Sequence, residues 1–150
     1  MTNIFDINLI KLNVFVPDKE KLFDMMVQDF YQYGIISKKE NYLLAIKSRE
    51  KALSTGIGYG VAIPHSQHDD VKKLGVVVYL LANELDYEAL DEQPVKVVIM
   101  LAVPTFANTE YMKTLGFISK ALHDEADRQR LMNCHNQQEI FEFFNNIWAL

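Results

Sequence analysis

Cysteine is nearly missing from this 150-residue chain. Cys134 stands alone, so no disulfide can close within it, and such usage fits a reducing cytosol. Long apolar runs are missing too. The stretches Gly75 to Ala82 and Val97 to Pro104 fall far short of the roughly 20 residues a bilayer-spanning helix needs. The opening residues, MTNIFDINLI, lack the basic segment, apolar stretch and small-residue cleavage site of a secretory leader. There is no basic excess either. Fifteen Lys and Arg against 20 Asp and Glu leave a formal charge of -5, which argues against a general nucleic-acid binder. Together these absences lead us to expect a cytoplasmic protein with no nucleic-acid partner and no direct membrane insertion.

What is present is apolar patterning. With 49% hydrophobic residues and no repeat, low-complexity tract or linker, residues 1–150 read as one domain around one core. Ile10 to Val16 alternates, which predicts a half-buried strand with Ile10, Leu12, Val14 and Val16 on one face. Pro17-Asp18 and Gly34 bracket a helix whose stripe is Leu22, Met26, Phe30 and Tyr33. Ser37 and Glu40 have capping-box spacing and open a second helix to about Lys51, carrying Leu43, Ile46 and Glu50 along one face. Val61-Ala62-Ile63 is a short strand that Pro64 ends or places at an edge. The valine-rich runs Gly75–Leu81 and Val95–Val103 suit central strands covered on both faces. Three helices follow. The first has Asn108 as cap and the stripe Tyr111, Leu115, Ile118, Leu122. A short one spans Asp124 to Met132, and the last is opened by Asn136 and Glu139. The expected fold class is α/β: a single domain with a mixed β-sheet of about five strands, flanked by helices on both faces.

Chemistry concentrates at one place. His65 follows Pro64 at the end of STGIGYGVA, Ser54 to Ala62, where glycines fall at alternate positions. That spacing is neither a dinucleotide fingerprint nor a Walker loop. It reads either as a sharp bend or as a loop whose backbone amides meet a phosphoryl group. His68, in a polar loop, and His123 and His135, at helix junctions, read as surface residues. His65, His68, Asp69 and Asp70 are the best metal-ligand candidates, but no established zinc spacing is present, and no metal is expected. Ser54 and Ser66 sit in no nucleophile elbow.

The block REKALSTGIGYGVAIPHS, Arg49 to Ser66, resembles the signature of enzyme IIA components of the bacterial phosphoenolpyruvate-dependent sugar phosphotransferase system. The class it resembles is the fructose–mannitol one, which includes the nitrogen-regulatory IIA proteins. The likeness runs on through Gly75–Leu81, Leu90 to Val95 and Val103-Pro104 to the terminal helices, covering almost the whole chain. It implies a phosphotransferase, a phosphohistidine relay working in sugar uptake, with fructose-like use favoured. His65 would accept a phosphoryl group from the histidine-containing phosphocarrier protein and pass it to a cysteine of a IIB component. Any membrane association would be indirect, through a IIC permease. Arg49 would stabilise the phosphoryl group, and Ser54, Thr55, Gly56, Ile57 and Gly58 would form its loop. No cofactor is implied. Many members carry a second histidine where Tyr111 stands, so Tyr111 either packs on its apolar stripe or hydrogen-bonds the group. Glu92 replaces a common glycine, and Tyr59 a common asparagine or small polar residue. The alternative reading is a regulatory binding module whose phosphorylation state controls partners. A metal-dependent hydrolase and a sheet-based interaction domain are the readings from outside the family.

Overall fold

The computed structural model describes residues 4–148. Its elements are β1 (Phe5–Val14), α1 (Lys19–Gln32), α2 (Lys39–Ala52), β2 (Gly56–Gly58), β3 (Val61–Ala62), β4 (His65–Gln67), β5 (Gly75–Leu85), β6 (Val95–Val103), α3 (Asn108–Ala121), α4 (Glu125–Met132) and α5 (Gln137–Trp148). The sheet runs β1-β5-β6-β3-β2, with β4 also on β6. It is mixed: β1 lies parallel to β5, β5 antiparallel to β6, and β3 and β4 parallel to β6. The α/β class and the two-sided helix cover agree with the sequence reading, with one strand more than expected.

The near-continuous apolar runs are central strands, and their alternate residues feed two layers. Val77, Tyr79, Val98 and Met100 pack with Leu22, Met26, Phe30 and Ile46 of α1 and α2. Val76, Val78, Val97, Ile99 and Leu101 pack with Ile118, Leu131, Ile140 and Phe144 of α3, α4 and α5. Each fully buried side chain of this size contributes about 1.5–3 kcal/mol. The sheet is therefore held from both faces.

Five local expectations need correction. The alternation in β1 breaks at Asn13, which adopts φ 54, and the register with β5 slips between Leu12 and Val14. Ile10 and Leu12 consequently serve the α5 side, while Val14 and Val16 serve the α1 side. Asn83 bridges the irregularity, donating to the Val16 carbonyl at 2.9 Å and accepting from its N–H at 3.0 Å. Tyr33 is exposed, because α1 ends at Gln32 and Gly34 turns the chain away at φ 70. Ser37 does not cap α2; its N–H and hydroxyl both donate to the Asp70 carbonyl, at 2.9 and 3.2 Å. A tie across to the 68–71 loop has outcompeted the local box. Asn108 is the first residue of α3 and makes no cap bond; its Oδ1 instead accepts from Gln67 Nε2 at 2.6 Å. Finally, His65 lies within a strand of its own, β4. Asp18 and Asn136 do cap, accepting from Lys21 N at 2.7 Å and Glu139 N at 2.9 Å.

Glu92 and Tyr59, the two departures noted above, both adopt left-handed backbone, at φ 61 and φ 58. That region suits glycine and asparagine and costs other residues on the order of 1 kcal/mol. Glu92→Gly should therefore stabilise the fold by about 1 kcal/mol. Urea midpoints of the variant and the parent protein check this; an unchanged or lower midpoint contradicts it.

Candidate functional site

The site is built where one strand is broken. Along the edge of β6, Val61 lies opposite Val97 and His65 opposite Leu101, four residues on along each chain. β3 and β4 are thus a single path in unchanged register, interrupted at Ile63-Pro64. The carbonyls of Gly60 and Pro64 accept from Val97 N and Leu101 N at 3.0 Å each, so they face β6. Alternate carbonyls point the other way. Ile63 therefore turns its backbone outward. Its N–H reaches the Thr55 carbonyl at 2.9 Å, and its carbonyl meets His65 Nδ1 at 2.7 Å.

That contact sets the tautomer. A carbonyl only accepts, so Nδ1 carries the proton and Nε2 keeps its lone pair. His65 is half-buried. Burial pushes its pKa below the ordinary value, and the Arg49 charge adds to this, while the Ile63 carbonyl and Glu50 pull it back. The ring is a neutral nucleophile at neutral pH.

Tyr111 lies beside the histidine, and the Arg49 charge bears on it. The Tyr111 ring lies 5.8 Å from the His65 ring, centroid to centroid, tilted by 43°. The Gln67–Asn108 bond helps seat the start of α3 beside β4 and so places Tyr111, within the first turn of α3. Burial pushes the Tyr111 phenol up from its ordinary value, opposed by Arg49. It stays protonated and can donate. Arg49 sits in the last turn of α2, where a cation suits the helix dipole. Its Nη1 donates to the Leu53 carbonyl at 2.9 Å. The Arg49 charge works to lower the pKa of both His65 and Tyr111.

The glycine-rich segment differs from expectation. Thr55, Gly56 and Gly58 are buried, Ile57 is exposed and Ser54 is partly exposed. Two of the amides expected to stay open are engaged. Thr55 N donates to Glu50 Oε1 at 3.0 Å, and Gly56 N to Ser54 Oγ at 3.2 Å. Gly56 is needed for close approach, since a Cβ there would stand 2.6 Å from Ala89 Cβ. β2 and β3 pair across Gly58 and Val61, and Tyr59-Gly60 between them both have positive φ, as a two-residue I′ hairpin loop requires. Asp91 Oδ2 accepts from Tyr59 N at 3.0 Å. The Tyr59 ring lies under the Arg128 guanidinium at 4.3 Å rather than beside His65.

Sequence reading missed what anchors this segment. The Glu50 side chain is only 7% exposed and binds Lys19 Nζ at 2.6 Å. It also accepts from the Thr55 hydroxyl at 2.6 Å, and that hydroxyl meets the Tyr87 hydroxyl at 2.7 Å. Lys19 lies 4.2 Å from the Tyr87 ring centre. The only hint was the apolar face on which Glu50 falls. Burial pushes the Glu50 carboxyl up, but the bonds from Lys19 and Thr55 outweigh it and hold its pKa below the ordinary range. His68 Nδ1 accepts from Asp70 N at 3.0 Å, which shapes its own loop. Among the described residues, no three His, Cys, Asp or Glu side chains converge as metal ligands, and no helix is long and apolar enough to cross a membrane.

Comparison with known proteins adds the family. A family model described as "Phosphoenolpyruvate-dependent sugar phosphotransferase system, EIIA 2" matches residues 3–147. The fructose-specific EIIABC component of Bacillus subtilis is 32% identical over 145 residues, 97% of this chain but 23% of that protein. The chain therefore spans about a quarter of that relative. The crystal structure of nitrogen regulatory protein IIA-Ntr from Neisseria meningitidis superposes with TM-score 0.88 at 27% identity, covering 94% of this chain and 96% of that one. The mannitol IIA enzyme of Escherichia coli, solved in complex with phosphorylated IIB, shares the fold: TM-score 0.81, 23% identity, 96% and 98% coverage.

The anchor makes a prediction about acid. A carboxyl held low in the fold stabilises it above the unfolded pKa of about 4.3 and loses that contribution as pH falls through the lower folded value. Glu50→Gln should cost about 2 kcal/mol at pH 7. The gap to the parent protein should narrow as pH falls below the ordinary Glu value of about 4.3 and through the lower folded value. Denaturant melts across that range test it; a gap independent of pH assigns Glu50 no such role.

Proposed function

The chain belongs to the EIIA 2 family of the phosphoenolpyruvate-dependent sugar phosphotransferase system, and on that premise we propose that it is a phosphoryl carrier acting through Nε2 of His65. The carrying observation is the Ile63 carbonyl on Nδ1, which leaves Nε2 as the nucleophile. The donor is the histidine-containing phosphocarrier protein and the acceptor a IIB component; the solved complex of mannitol IIA with phosphorylated IIB supports the second step by analogy. Fructose-like use is favoured by the Bacillus subtilis relative.

The bonds balance simply. The Nε2 lone pair forms the new N–P bond as the donor's N–P bond breaks. The Nδ1 proton stays in place, and the Ile63 carbonyl steadies the positive charge the ring then shares. A IIB thiolate next attacks phosphorus, the N–P bond breaks, and the lone pair returns to Nε2. A loose transition state asks chiefly for alignment and charge neutralisation. Arg49 supplies the cation and Tyr111 a neutral donor. Because the Thr55 and Gly56 amides are already engaged, these two side chains carry more of the load than those two loop amides do.

A regulatory role has one observation in its favour. The nitrogen-regulatory protein of Neisseria meningitidis matches over nearly its full length. In that reading phosphorylation at His65 changes the charge partners meet.

Incubation with phosphoenolpyruvate and the two general proteins of the system should label His65 with an acid-labile phosphoryl group, and His65→Ala should take none. Equal labelling of that variant contradicts the proposal. Rapid discharge to IIB favours transport; a label that persists favours regulation. Arg49→Gln should slow transfer by about a hundredfold. Since Arg49 helps hold the His65 pKa down, the variant's rate should begin to fall at higher pH than the parent's as the medium is acidified. Parallel pH–rate profiles check both parts.

A further inference from the structure

Beneath His65 lies a buried hydroxyl that the transfer chemistry leaves unused. Tyr42 of α2 is fully buried, its ring edge-on to Phe30. Its hydroxyl donates toward two carbonyls at once: Leu101 at 2.8 Å and Ser66 at 3.1 Å. Leu101 is the residue opposite His65 in the sheet, and Ser66 is the next residue after His65. One proton therefore spans the joint between β4 and β6 at the histidine. Burial pushes the phenol far above its ordinary pKa, so this donor stays protonated at any pH the fold survives.

The joint needs the help. β4 has three residues and pairs with β6 alone. Just before it, Pro64 has no N–H to give, so the path loses a ladder bond there. Tyr42 also sits on the helix that carries the cation. Tyr42, Ile46 and Arg49 are spaced by four and three along α2, which puts them on one face, and Tyr42 and Ile46 are both buried. The contact that pins β4 thus comes from the helix that carries Arg49.

We propose that Tyr42 is a positioning residue for phosphoryl transfer: its hydroxyl locks the backbone of β4 so that the His65 ring keeps its bond to the Ile63 carbonyl and its alignment with Arg49. The inference rests on the reading of His65 as phosphoryl acceptor, but part of its test does not.

In Tyr42→Phe the ring and its packing remain, and only the hydroxyl goes. The His65 Nδ1 proton, followed by ¹⁵N-edited NMR on unphosphorylated protein, should exchange faster with water than in the parent. The rate of His65 labelling should fall about tenfold, a loss in kcat rather than KM, because a small misplacement is costly in an aligned transfer. Tyr79→Phe is the control. Tyr79 is also fully buried in the sheet, and its hydroxyl donates to Asp29 on the α1 side. It should lose stability and leave the His65 signals alone. Should Tyr42→Phe fold poorly, the same pair is measured in the Glu92→Gly background. An unchanged Nδ1 signal and labelling rate in Tyr42→Phe, or equal effects from Tyr79→Phe, overturns the proposal. Failure of the parent protein itself to be labelled at His65 would instead sink the carrier reading, while the Nδ1 measurement would still report on Tyr42.

Discussion

The bond from His65 Nδ1 to the Ile63 carbonyl is the constraint on which the site turns. It links a side chain to the backbone two residues earlier, so it forms only where that carbonyl is not consumed by a neighbouring strand. β2 covers the outer edge of β3 as far as Thr55 and Gly56 and then stops. Pro64 keeps the path along β6 in register: its carbonyl still accepts from Leu101 N, while its missing N–H leaves one ladder bond unmade. A histidine placed after proline at the end of a short strand is the arrangement that delivers a free carbonyl to its own ring. The tautomer and the available nitrogen follow from it, while the low basicity of the imidazole comes from burial and the Arg49 charge, against which this bond works.

Much of the fold was legible because its signals are local. The limits of β6, the caps at Asp18 and Asn136 and the stop at Gly34 depend on residues within a few positions of one another. What was not legible is tertiary in origin. Ser37 has the spacing of a capping box, yet the Asp70 carbonyl, distant in sequence, takes its donors. Asn13 sits in a clean alternation, yet a bulge there sends the following valines to the opposite layer. β4 could not be told from a loop, since three residues carry no periodicity. At the site, the histidine and arginine were readable from the Arg49–Ser66 block, whereas Tyr42 looked like any aromatic in an apolar helix face and Glu50 like a misplaced charge.

The glycine-rich segment does structural work that its composition did not reveal. Its glycines serve close packing at Gly56 and the hairpin turn at Gly58 to Gly60, and it is fastened from below by Thr55, Glu50, Lys19 and Tyr87. The result is a rigid floor rather than a pliant cradle. Rigidity has its own value here, because Thr55 is also the residue whose carbonyl holds Ile63 in place. The Glu50–Lys19 pair therefore reaches the histidine through three hydrogen bonds, Thr55 N to Glu50, Ile63 N to the Thr55 carbonyl and His65 Nδ1 to the Ile63 carbonyl.

A ring pinned through Nδ1 offers a single atom, Nε2, on a single side. For a relay this amounts to a turnstile. In the proposed relay, a donor and an acceptor would have to meet the same nitrogen along the same path, so their binding faces would overlap and no ternary assembly would form.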